Sequence, residues 1–149
     1  MREWRDVWRQ LKELTEEIGW KTSEEPADYE ALHASLLTGL LGNLGMRDLS
    51  ADLRAAPYLG ARGIRFWVWP GSALAKKAGK WLMASELVET SRLFARCVAD
   101  IEPEWIERAA GHLIKKSWSE PHWEKTRAEV VALERGTLYG LPVYTDRRV

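Results

Sequence analysis

Apolar residues recur at helical spacing over the first twenty positions. Trp4, Val7, Trp8, Leu11, Leu14 and Ile18 make one stripe, with Arg5, Arg9, Lys12, Glu13 and Glu17 filling the other side. The pattern predicts an amphipathic helix that needs a partner surface, closed by Gly19 and followed by a polar link ending at Pro26. A second helix is predicted from Asp28 as N-cap, carrying Leu32, Leu36, Leu37, Leu40 and Leu41 toward Gly42 as core leucines. The period then falls from near 3.6 to near 2. Ile64, Phe66 and Val68 alternate with Arg65, Trp67 and Trp69, and Leu93, Ala95, Cys97, Ala99 and Ile101 alternate with Phe94, Arg96, Val98 and Asp100. Residues 81–89 give a third such stretch, and residues 45–49 and 57–60 give weaker ones. Five short strands after helices predict a small closed or nearly closed barrel, and alanine and cysteine at inward positions of the last strand suit a narrow interior. Pro103 opens another helix, with Glu102 and Glu104 at its positive end and Lys115 and Lys116 at its negative end. The remainder from Ser117 contains Pro121-His122-Trp123 and then residues 129–139, which look extended more than helical, before Gly140-Leu141-Pro142. The fold class is therefore α+β with a mainly β core: a five-stranded barrel flanked by N-terminal helices and by a C-terminal helix plus extended tail.

Length and composition narrow this picture. A chain of 149 residues has room for one core and not for two ordinary domains. Its 22 lysines and arginines balance 22 acids, yet residues 61–80 hold Arg62, Arg65, Lys76, Lys77 and Lys80 and no acid, which marks a local anion-facing surface. The nine tryptophans are mostly expected in the core. Cys97 is the one cysteine, and His33, His112 and His122 fit no zinc spacing, so neither an internal disulfide nor a metal site is expected. No apolar run approaches a membrane span, and the charged start lacks a signal-peptide core, so no membrane contact and a cytoplasmic location are expected.

Enzyme motifs do not appear. The phosphate-cradling Gly-x-x-x-x-Gly-Lys loop, the Gly-x-Gly-x-x-Gly turn and the Gly-x-Ser-x-Gly elbow are all missing, and Glu24 with Glu25 or Glu86 with Glu89 read as solvated surface. What remains is a binding constellation. In an oligonucleotide-binding barrel the strand lies across the second and third strands and is gripped by the loops joining the first to the second and the fourth to the fifth. Arg65, Trp67 and Trp69 would project from the outer face of the third strand, and Glu89-Thr90-Ser91-Arg92 would form the four-to-five loop. Thr90 and Ser91 can meet base edges or phosphates, Arg92 can pair with a phosphate or stack on a base, and Lys76, Lys77 and Lys80 add the electrostatic component. Each piece has a plainer alternative. The rarity of exposed aromatic patches favours Trp67 and Trp69 covered by the N-terminal helices. The lysines alone can equally be a solvated loop, since a surface charge run needs no partner, and Thr90 and Ser91 can be turn residues.

Four motifs occur in order: Leu36-Leu37-Thr38-Gly39-Leu40-Leu41-Gly42-Asn43, Trp69-Pro70-Gly71-Ser72-Ala73-Leu74, Glu86-Leu87-Val88-Glu89-Thr90-Ser91-Arg92 and Ile101-Glu102-Pro103-Glu104-Trp105. Together they resemble the C-terminal OB-fold domain of DEAH-box ATP-dependent RNA helicases, and Ser119-Glu120-Pro121-His122-Trp123 with Leu138-Tyr139-Gly140-Leu141-Pro142 is similar to the bacterial HrpA-type branch. The resemblance covers roughly residues 28–142. It implies contacts to single-stranded RNA by Ser72, Thr90, Ser91 and Arg92, beside RecA-like motor and helical domains of the same parent chain. It also implies that ATP and Mg belong to the parent's motor, with no cofactor in this piece. Residues 1–27 would be a helix and linker from the preceding helical domain, 28–117 the OB-fold domain with its leading helix, and 118–149 an extension toward the next domain. A chain of this kind would bind RNA, or alternatively act as a docking module with little RNA affinity of its own. Where many eukaryotic members read His-Pro-Ser-Ser this chain has Trp69-Pro70-Gly71-Ser72, which removes the first of those serines.

Overall fold

The computed structural model describes residues 2–49, 57–126 and 128–149. Helix α1 (Arg2–Glu17) forms as its pattern predicts and ends where Gly19, at φ 78°, lets its N–H reach the Glu16 carbonyl at 3.0 Å and the Trp20 N–H reach that of Thr15 at 2.9 Å. None of its residues is buried, so the apolar stripe faces outward. Helix α2 (Tyr29–Leu37) starts on the Asp28 carboxylate, which accepts from the Ala31 N–H at 2.7 Å. It stops at Leu37, earlier than the leucine run implied, and Leu37 alone among its leucines is buried. The inner stripe passes through His33, Ala34 and Leu37, and this turns Leu32 and Leu36 outward.

Strands β1 (Leu44–Arg47), β2 (Tyr58–Gly60), β3 (Arg65–Val68), β4 (Trp81–Glu89) and β5 (Leu93–Asp100) close a barrel in the order β1-β2-β3-β5-β4. The β3–β5 pair is parallel and the other pairs are antiparallel. Phe66 fills the interior with Tyr58, Leu82, Ala84 and Ala95. Gly45 and Gly60 stand where the Phe66 ring meets the facing backbones, and a Cβ at either would collide with that ring.

Cys97 departs from the predicted alternation: it is exposed and takes φ 47°. The register of β4 and β5 stays constant through this point, but the inward side changes on both strands together. Leu87 and Ala95 pair inside the barrel, as do Ala84 and Val98, whereas Met83 and Ala99 join a second cluster outside it.

Helix α3 (Pro103–Ala110) carries Pro103 in its first turn as read, and Trp105 and Ile106 are buried beneath it. Lys115 and Lys116 do not cap it, because a 3-10 turn at Gly111–Leu113 intervenes and they open strand β6 (Lys115–Glu124) instead. There Lys116 Nζ lies 3.0 Å from the Glu134 carboxylate, and that hydrogen bond raises the lysine's pKa. With β7 (Glu129–Leu138) and β8 (Leu141–Arg148), β6 forms an antiparallel sheet. The extended tail is thus a structured meander whose Leu138, Leu141 and Val143 join Leu37, Leu44, Trp81 and Ile106 in the second core.

Only Trp81 and Trp105 of the nine tryptophans are buried. The expectation of a tryptophan-rich core fails because, among the described residues, nothing covers Trp4 and Trp8 on their helix, and Trp118 and Trp123 lie on β6, which pairs only with β7. No described helix is long and apolar enough to cross a bilayer.

Candidate nucleic-acid interface

Alternation along β3 sends Phe66 and Val68 inward and leaves Trp67 and Trp69 half-buried on the outer face. The parallel register sets Trp67 beside Phe94 and Val68 beside Ala95. Outward residues of β5 and of the β4–β5 connection therefore come to lie over the indoles. The Arg92 guanidinium sits 5.0 Å from the Trp67 ring centre, that of Arg96 sits 4.5 Å from the Trp69 ring, and Phe94 meets Trp69 edge-on at 5.3 Å. The predicted helical cover of these tryptophans is thus replaced by two arginines and a phenylalanine from β5 and its leading turn. Burial by the N-terminal helices fails because α1 turns its stripe to solvent.

The β4–β5 connection is a tight three-residue turn. The Thr90 N–H and hydroxyl both donate to the Arg92 carbonyl, at 2.9 and 3.3 Å, and Ser91 is exposed at its tip. Ser72 holds the turn after β3: its N–H donates to the Trp69 carbonyl at 2.9 Å and its Oγ accepts from the Leu74 N–H at 3.3 Å. Both loops are thereby fixed by their own hydroxyl side chains.

The predicted cations divide. Lys76 lines a cleft of about 170 Å³ with Trp67, Tyr58 and Arg47, and Lys77 is exposed one residue on. Lys80 lies elsewhere, in a groove of about 660 Å³ with Asp100, Glu102 and Tyr144. Arg65 donates to Asp48 at 2.6 Å, and Arg62 lies over Tyr139 at 6.0 Å. The acid-free stretch of sequence is therefore not one surface, since the turn after β3 carries its lysines to different sides. The structure brings together Trp67, Trp69, Lys76 and Arg92, and adds Arg47 and Arg96, which the sequence reading did not select. For Arg96 the signal was present, as it alternates outward with Phe94. Arg47 could be found only through the β1–β2 register that sets it opposite Tyr58. The β1–β2 connection, residues 50–56, lies outside the described residues.

The Glu86 carboxylate holds Arg96 from β4 at 3.7 Å, with both side chains about half exposed, so the pair positions the guanidinium more than it stabilises the fold. The surface is thus two indoles topped by planar cations and flanked by Lys76 and Arg47. Its chemistry suits an anionic partner with flat groups.

Over all 149 residues the chain is 50% identical to the ATP-dependent RNA helicase HrpA of Escherichia coli and 47% identical to the HrpA homolog of Haemophilus influenzae. It spans about 11% of the length of each of these curated relatives. The crystal structure of the E. coli DExH-box NTPase HrpB shares the fold with a TM-score of 0.59 at 17% identity, over 94% of this chain and 17% of that one. Residues 32–114 match the family model described as the oligonucleotide/oligosaccharide-binding (OB)-fold, and the chain belongs to that family.

Proposed function

We propose that the chain is a non-catalytic module of an ATP-dependent DEAH-box RNA helicase that binds single-stranded RNA and guides it into the motor. The observation that carries this reading is the Arg92 guanidinium over Trp67, 5.0 Å from the ring centre, which joins the β4–β5 connection to the β3 face as one cationic, aromatic surface. The relatives' names, which are those of RNA helicases, support it. In this reading Ser72, Thr90, Ser91, Arg92, Arg65, Lys76, Lys77 and Lys80 are the candidate RNA contacts. ATP, Mg and hydrolysis belong to the RecA-like domains of the parent, in the cytoplasm. Residues 1–27 come from the preceding helical domain, 28–117 are the OB-fold domain, and 118–149 lead toward the next.

A labelled oligo-U titration at two salt concentrations tests the reading. About three phosphate contacts give a log-log salt slope of about −2. Replacing Lys76 and Lys77 by Glu should weaken binding and reduce that slope. The same change at Lys80, beside Asp100 and Glu102, should matter less. Affinity untouched by the double replacement removes the turn after β3 from the interface.

A second reading, docking onto the motor domains or an adaptor with little RNA affinity, is favoured by α1, where Trp4 and Trp8 are 80% and 65% exposed. Concentration-dependent self-association of this chain without RNA affinity would favour it over the first.

A further inference from the structure

Trp67 on β3 and Trp69 just after it are not themselves the platform for bases. Trp69 is closed in from several sides: Phe94 stands edge-on to it, and Arg96 lies over its ring. The backbone at Gly71 comes so near that a Cβ there would be 3.1 Å from the indole Nε1. Trp67 carries Arg92 in the same manner. Two guanidiniums therefore lie over the indoles on this face, at 5.0 and 4.5 Å from the ring centres, and Arg96 is steadied further by Glu86 at 3.7 Å. An indole-backed guanidinium presents a delocalised plane on which a base can stack, whereas an ammonium in its place is a point charge without that plane.

We propose that Arg96 is a further RNA-contacting residue, and that Arg96 and Arg92 each stack a nucleobase between the guanidinium and solvent instead of pairing with a phosphate. This rests on the RNA-binding reading and assigns that surface its base-recognising groups.

The experiment compares the full-length natural chain and its R96K, R96Q and R92K variants, titrated with a uridine oligonucleotide and with an abasic oligonucleotide of equal length. Wild type should prefer the uridine strand. R96K should lose on the order of tenfold in affinity for it, leave abasic binding unchanged and keep the salt slope, because the charge is retained. R92K, at an exposed turn, should do the same and guards against a folding defect at β5. Equal affinity of the wild-type chain for both strands overturns the proposal. So does a normal R96K beside an R96Q that loses only salt slope, the signature of a phosphate contact. If T90A/S91A weakens binding while every Arg96 and Arg92 variant is silent, the stacking inference falls and the RNA reading stands. If all of these are silent while the wild type binds, this face is not the RNA site and the stacking inference falls; a wild type that binds neither strand overturns the RNA reading itself.

Discussion

The Phe66 ring is fully buried and lies against the backbones of Gly45 on β1 and Gly60 on β2, so one side chain sets the spacing of three strands. Phe66→Ala should destabilise the chain by about 3–5 kcal/mol through lost burial and the cavity left behind, read as a lowered denaturant midpoint. Gly45→Ala offends in the other direction. Its methyl enters space the ring occupies, and overpacking of this kind costs about 1–3 kcal/mol. Tyr58, in the same interior, donates to the Gly79 carbonyl at 2.8 Å. Burial pushes its pKa above the ordinary 10.0, with Arg47 pulling it down and Asp100 pushing it up. The folded chain thus holds this proton more tightly than the unfolded chain does. The stability it confers is complete below pH 10 and is lost as pH rises from there through the folded-state value. A plot of thermal midpoint against pH should fall in that alkaline window for wild type and flatten for Tyr58→Phe, from a lower starting point because the Gly79 bond is gone.

Elements whose neighbours are close in sequence were legible in it. The α1 stripe, the Asp28 cap, Pro103 in the first turn of α3 and the inward Phe66 and Val68 of β3 all follow from local periodicity and chemistry. What could not be read depended on partners far along the chain. The parallel β3–β5 pairing sets the arginines over the indoles, and the inversion at Cys97 reverses a regular alternation without a glycine to announce it. Of the meander only β7 shows in the sequence, as an extended stretch over 129–139; Trp118, Pro121 and Trp123 obscure the period of β6. For α1 the same logic gives a prediction. Trp4 and Trp8 contribute little to this chain's own stability, so replacing both with Ser should shift its denaturant midpoint by no more than about 0.5 kcal/mol equivalent. A larger loss would mean that α1 has a partner surface within the chain.

At the scale of the molecule, two cores share one pair of strands. The barrel interior and the cluster beneath α3 lie on opposite sides of β4 and β5, and β7 and β8 supply Leu138, Leu141 and Val143 to the second. Ending the chain after Leu113, near the limit of the OB-fold match, removes those three buried side chains. At about 2 kcal/mol each the loss rivals the whole stability of an ordinary domain, so the shortened chain should show no cooperative thermal transition. The shared strands carry one more consequence. At one end of β4, Trp81 and Met83 belong to the cluster that holds Leu138 and Leu141, and at the other end Glu89 enters the turn that holds Arg92. The two ends are about 26 Å apart along continuous backbone. The meander and the arginine-bearing tip are therefore anchored on the same two strands, so losing the packing of Leu138 and Leu141 removes support from the ladder that carries Arg92.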